Sequence, residues 1–239
     1  VFHLNLLWGL VAIVLGHLVG GVVIALASAQ GPQLGIPQMV QSRGQFGRYG
    51  ALLIVFFTAL ISVGFFISNT DRAGKTIHAI SPSLPMPGAI VIGALSATAI
   101  GVIGYRFIHI LNRIGTWVMG SALLAGFIMM FAQELPADFF SRGAFNLSGF
   151  IATVSLGTIW QISFSPYTSD YSRYLPREVG IAKPFWATYF GATLGTILCF
   201  SFGAVAVLWV PEGTDAMDAV KQATGWLGPI LLVLFLLNI

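Results

Sequence analysis

Between residues 4 and 29 the chain has no Asp, Glu, Lys or Arg, and five further runs of comparable length repeat the pattern. They cover 50–69, 87–106, 115–133, 147–168 and 185–210, and their one charged residue is the terminal Arg106. A helix crosses the bilayer core in roughly 20 mostly apolar residues. In lipid the backbone polar groups must bond within the protein, which leaves helices or closed barrels as spanning elements. The six runs therefore predict six complete transmembrane helices. A seventh, 226–239, is predicted as a truncated span because the sequence ends inside LLVLFLLNI. All of 1–239 is then a single transmembrane domain of an all-α integral membrane protein, placed in a cell membrane that it crosses several times. The first residue is Val1, so the chain is read as a piece of a longer protein.

Charge supports this and fixes an expected orientation. Only 8% of residues are charged, against about 25% in a soluble domain. The excess of positive charge does not argue for nucleic acid, because the 11 Lys and Arg sit in short connections between spans. Seven of them (Arg43, Arg48, Arg106, Arg113, Arg173, Arg177, Lys183) fall on one side and four (Arg72, Lys75, Arg142, Lys221) on the other. The acids lean the opposite way, with Asp170 and Glu178 on the first side and Asp71, Glu134, Asp138, Glu212, Asp215 and Asp218 on the second. The side rich in Lys and Arg is expected to be cytoplasmic. That puts 30–49, 107–114 and 170–184 in cytoplasmic loops.

The chemistry-bearing residues exclude more than they offer. One cysteine, Cys199, allows no internal disulfide, and His3, His17, His78 and His109 lack ligand spacing, so no metal site is expected. No nucleophile elbow, zinc-protease helix or phosphate loop occurs, and no carboxylates pair inside a span, so no catalytic residue and no enzyme activity are expected. His17, among glycines, is read as a packed, hydrogen-bonded residue. Runs dense in small residues, GHLVGG at 16–21, GALSATAIGVIG at 93–104 and GATLGTILCFSFG at 191–203, predict close helix seams.

What remains is uncharged polarity, concentrated in the fifth run. Gly157, Thr158, Trp160, Gln161, Ser163 and Ser165 precede Pro166, and SDYSRYLP follows. Transporters build midplane sites from interrupted helices of this composition. Gln161 offers an amide with donors and an acceptor, and Trp160 offers a flat face. The alternative reading, a softened helix with Gln161 bonded to a neighbour, stays open on spacing alone. Pro166 is expected to bend the helix. Asp170 and Arg173 stand three apart on one face, placed to pair, and Pro176 is expected to end the helix. The other informative stretch, residues 28–50, has prolines and glycines that exclude a simple helical hairpin; within it QMVQSRGQF suits a short interfacial helix carrying Arg43.

Together the two stretches resemble the purine–cytosine permeases of the nucleobase–cation symporter family. The run from Gly31 to Gly47 (G-P-x-x-G-x-P-Q-M-x-x-S-R-x-x-F-G) resembles the connection between that family's second and third helices. Ser169–Tyr174 (S-D-Y-S-R-Y) resembles the inner end of its sixth. The resemblance implies a partial leucine-transporter-like (LeuT-like) fold of five-plus-five inverted repeats, without the first helix and the C-terminal ones. It implies a broken sixth helix whose inner half is the SDYSRY stretch, with Asp170 and Arg173 anchoring it. It also implies a stacking ring at Phe65, a polar partner at Ser62, and a third contact at Gln161 with Trp160 adjacent. The solute would be a nucleobase or related planar heterocycle such as cytosine, a purine, uracil or allantoin. No cofactor is expected beyond a coupling Na⁺ or H⁺, whose ligands lie outside this chain. Thiamine or a hydantoin is the alternative solute within the family. A non-transporting seven-span receptor or scaffold is the alternative outside it.

Overall fold

The structure, a computed structural model, describes residues 3–211 and 213–236. Glu212, counted above among the acids, and the last three positions of the 226–239 span lie outside the described residues. Eight α-helices follow one another: α1 (Leu6–Leu34), α2 (Gln38–Ile80), α3 (Met86–Ile103), α4 (Tyr105–Ala132), α5 (Leu147–Ser172), α6 (Ala182–Ala206), α7 (Ala216–Ala223) and α8 (Gly228–Leu236). The first six are long and apolar enough to cross a membrane, and the shorter apolar helix Gly225–Leu236 stands where the truncated span was expected. The chain divides into two compact units. One takes the residues up to Ser62 and Phe140–Ser201; the other takes Val63–Phe139 and the residues from Phe202 on.

The first unit is organised around α1 against α5. The glycines of GHLVGG make that contact: a Cβ on Gly16 would stand 2.5 Å from the Val154 carbonyl oxygen, and one on Gly20 2.7 Å from that of Thr158. With no side chain in the way, polar groups reach across. Thr158 Oγ1 donates to the Gly16 carbonyl at 3.1 Å, and His17 Nδ1 donates to the Gly157 carbonyl at 3.0 Å. His17 is wholly buried and edge-on to Phe200, as its packed reading requires. The third small-residue run behaves otherwise: among the described residues nothing lies within 4 Å of a Cβ built on Gly191, Gly195 or Gly203, so these glycines make no close helix contact there. Thr193 and Thr196 of that run, not its glycines, face the neighbouring helices.

Helix ends differ from the apolar runs for an identifiable reason: hydropathy marks bilayer depth, whereas a helix continues until its backbone bonds end. α1 passes through Pro32 and stops at Gly35, whose φ of 64° suits a glycine C-cap. Pro32 cannot donate to the carbonyl of Ser28 four residues earlier, and Ser172 Oγ from α5 takes that carbonyl instead at 2.7 Å. A helix does form over QMVQSRGQF, as the first part of α2, and it meets the spanning part at Gly47 (φ 68°). The 107–114 loop is corrected: only Gly104 (φ 98°) separates α3 from α4, and those residues form α4's first turns. Arg72 and Lys75 likewise ride on α2, where Lys75 pairs with Asp71 at 2.9 Å.

α5 carries two more corrections. It is one continuous α-helix through Pro166, not a broken one, and it ends at Ser172, ahead of Pro176. Hydroxyls of the same stretch cover its carbonyls: Ser163 Oγ donates to Ile159 O (2.7 Å) and Thr168 Oγ1 to Phe164 O (2.9 Å). Pro166 cannot donate to the Ile162 carbonyl four residues earlier, yet the helix continues past it to Ser172.

In the second unit, α2 meets α3 where Gly93 abuts Ala73 and Gly74 abuts Ile90. Gly126 of α4 sits under the Phe202 ring and Leu231 of α8. Phe131, Phe139 and Trp209 pack edge-on with centroids 5.2–6.4 Å apart, and Gln133 Nε2 donates to Ala223 O at 2.8 Å.

Candidate functional site

α5 places Trp160, Phe164, Tyr167 and Tyr171 at intervals of four, three and four residues, a spacing that aligns side chains on one helix face. All four line an open cavity of about 430 Å³ inside the first unit, together with Ile24 of α1 and Thr188, Ala192 and Thr196 of α6. That volume falls within the ~300–1,000 Å³ of small-molecule sites. Trp160 leans on Phe164 (centroids 5.7 Å) and on Phe200 (5.5 Å), so its ring is held on two sides.

Gln161 lines the same cavity and is 1% exposed. Its Nε2 donates to Thr196 Oγ1 at 2.8 Å and to Ala192 O at 3.2 Å, tying α5 to α6. Both readings left open by the sequence are thus realised together: the amide is bonded to a neighbouring helix and also forms part of a cavity wall beside Trp160.

Ser62 joins this wall indirectly. Its Oγ lies 2.7 Å from the Tyr167 hydroxyl, which also donates to the Thr58 carbonyl at 3.2 Å. Phe65, three residues further along α2, belongs to the second unit and is half-buried. Its neighbours Phe66, Asn69 and Thr70 line a separate cavity there, of about 430 Å³, with Ser96 and Phe107. The structure therefore brings together Trp160, Gln161 and, through Tyr167, Ser62. Phe164, Tyr167 and Thr196 were missed from the sequence. The aromatic spacing 160, 164, 167, 171 was the available signal for the first two.

At the end of α5 bearing Arg173, the expected Asp170–Arg173 pair does not form. Asp170 Oδ1 accepts from the backbone N–H of Gln38 at 2.9 Å, capping α2, and Gln38 Oε1 accepts from the N–H of Ser169 at 2.9 Å. Gln41 Nε2 adds bonds to Ser169 Oγ (3.0 Å) and Ile36 O (2.8 Å). Arg173 turns instead to the Asp170 backbone carbonyl (3.3 Å) and to Tyr174, bonding its hydroxyl and lying over its ring. The physical reason is that a carboxylate gains more from an uncapped helix N-terminus than from a solvated guanidinium. The two sequence stretches singled out above, some 130 residues apart, are each other's hydrogen-bond partners. Pro166 lines a third cavity of about 350 Å³ beside them, with Gln30, Gln41 and Gln45.

A family profile described as "Permease for cytosine/purines, uracil, thiamine, allantoin" matches residues 1–239. A putative purine-cytosine permease, YxlA, of Bacillus subtilis (strain 168) is 38% identical over 236 residues, covering 98% of this chain and 51% of that protein. The purine-cytosine permease FCY21 of Saccharomyces cerevisiae is 27% identical over 217 residues, 87% of this chain and 40% of the yeast protein. This chain therefore spans about half the length, or less, of the curated relatives it matches. Among solved structures, Mhp1, a nucleobase-cation-symport-1 family transporter in a closed conformation with bromovinylhydantoin bound, aligns with a TM-score of 0.79 at 20% identity. The alignment covers 98% of this chain and 56% of that one. At that identity the likeness establishes the fold, a partial leucine-transporter-like one.

Proposed function

We propose a function from one premise: this chain belongs to the family of permeases for cytosine/purines, uracil, thiamine and allantoin. Membership makes it a multi-pass membrane transporter component and not an enzyme. Our reading is that the protein moves a nucleobase or a closely related planar heterocycle across the membrane by symport with Na⁺ or H⁺. The observation that carries it is the α5 wall: one helix face supplies a braced indole, further aromatic rings and a buried amide to a single cavity. Such a wall suits a flat, neutral solute, which stacks on the rings and hydrogen-bonds through its edge. Base–aromatic stacking is worth about 1–3 kcal/mol per base. Ser62 acts through the Tyr167 hydroxyl, and Asp170, with Gln38, holds the end of the helix that carries the wall. Arg173 and Pro166 shape that end without touching solute.

The test is radiolabelled uptake by cells expressing the whole gene product, with unlabelled nucleobases as competitors and with Na⁺ and pH gradients imposed separately. Saturable uptake, driven by one of the two gradients and blocked by cytosine or a purine, is expected. Trp160→Leu should weaken affinity about five- to a hundredfold. The stacking role assigned to Phe65 is checked in the same assay: Phe65→Trp should retain transport and Phe65→Leu should not. Uptake competed only by thiamine or hydantoins would move the solute class within the family. No gradient-dependent uptake at all would refute the reading.

A further inference from the structure

The donors that the amide and the threonines bring to the α5–α6 cavity are already spent inside the protein. Gln161 Nε2 uses both its hydrogens, toward Thr196 Oγ1 and the Ala192 carbonyl. Because the Ala192 carbonyl only accepts, the amide's orientation is settled by chemistry: nitrogen on α6, oxygen elsewhere. Thr196 Oγ1 donates to Ala192 O at 2.7 Å, Thr168 Oγ1 to Phe164 O at 2.9 Å, and Thr188 Oγ1 to Ser28 Oγ at 2.7 Å. The Tyr167 hydroxyl is engaged by Ser62 and Thr58. Trp160 and Tyr171 have contacts of their own.

What Gln161 retains is acceptor capacity. Among the described residues no donor reaches its Oε1, on a side chain that lines the cavity. A carbonyl edge of a solute brought to that oxygen would set lone pair against lone pair. An amino group at that position would form a bond, whereas the ring N–H of an oxo counterpart lies one atom further along the edge and reaches the oxygen only if the ring shifts. A buried polar group left without its partner loses its full desolvation cost, so the discrimination runs in one direction.

We infer that Gln161 Oε1 is the specificity-determining acceptor of this cavity. It selects, among planar heterocycles, those presenting an amino group at that edge over their oxo counterparts. The inference rests on the nucleobase reading above and adds a direction to it: cytosine over uracil, and adenine over hypoxanthine. Thr196 is a positioning residue, since its hydroxyl holds the amide nitrogen and thereby aims the oxygen.

The experiment measures competition constants for the two pairs, cytosine with uracil and adenine with hypoxanthine, in whole-protein uptake. The ratio within each pair is taken for the unsubstituted protein, Gln161→Leu and Thr196→Val. A ratio within one variant does not depend on how much protein folds. The unsubstituted protein should favour the amino member of each pair about five- to a hundredfold. Gln161→Leu should collapse the ratio to about twofold or less, and Thr196→Val should give an intermediate value. Ratios unchanged in Gln161→Leu, or a preference for the oxo member in the unsubstituted protein, would overturn the inference and leave the nucleobase reading standing. Absence of competition by any nucleobase in the unsubstituted protein would remove that reading, and this inference with it.

Discussion

The two compact units solve the same problem, helix packing at membrane depth, with different materials. In the first, glycines bring α1 and α5 backbone to backbone, and Thr158, His17 and Ser172 bond carbonyls of the opposite helix. In the second, glycines also let α2 meet α3, but around α4 it is rings rather than polar groups that cross the contact: Phe127 and Phe202 pack edge-on, as do Phe131, Phe139 and Trp209. Close backbone approach fixes helix positions tightly and lets short polar side chains reach across. Ring packing fills space with less directional constraint. The cavity with the buried amide lies in the unit whose helices are held by the first method, which is where a precise wall is easiest to maintain.

Breaking the glycine seam should give the largest effect. Gly20→Ala places a methyl against the Thr158 carbonyl and the Gln161 Cβ. It should destabilise the protein by about 1–3 kcal/mol, the range for overpacking. Gly191→Ala on α6, where nothing stands within 4 Å, should be neutral or up to about 1 kcal/mol stabilising. Thermal unfolding of the purified protein in detergent compares the two. Equal tolerance would show that α1 and α5 are not in the contact described.

The second test sharpens the polar part of the seam. Ser172→Ala deprives the Ser28 carbonyl of its donor in a site where Pro32 cannot supply one. A cost of about 1–3 kcal/mol is expected. Adding Pro32→Ala restores a backbone N–H to that carbonyl, so the double variant should recover most of the loss. A double variant as unstable as Ser172→Ala alone would disprove the exchange of partners.

The smallest effects belong to the cap that Asp170, in the same last turn of α5, supplies to α2. Asp170→Ala should cost about 0.5–2 kcal/mol, as for other lost N-caps, and should speed proteolysis near residues 38–46. Arg173→Ala should stay within about 0.5 kcal/mol. Equal losses in the two variants would restore the ion pair that the sequence spacing suggested.

Much of this was legible beforehand. The number of spans follows from run length alone, because lipid offers the backbone no other partner. The short helix from Gln38 and the seam at Gly16 and Gly20 were marked by residue type. Helix limits were not, because hydropathy registers lipid contact and is blind to the turns of α4 that begin at Tyr105. The partners of Asp170 were not legible either. A carboxylate three residues before an arginine looks paired, and nothing local announces that a helix N-terminus from residue 38 will reach it first.

The sequence by itself determined that this chain is an all-helical membrane protein with uncharged polarity gathered on its fifth span. Those properties depend only on composition along short windows, which a bilayer reads directly. Tertiary structure alone decided that Gln161 spends its nitrogen on Thr196 and keeps its oxygen. It also decided that Ser62 bonds the Tyr167 hydroxyl, and that a carbonyl freed by Pro32 is claimed by Ser172. Each of these turns on which backbone or hydroxyl lies within about 3 Å, and such proximity between residues distant in sequence exists only after the helices pack.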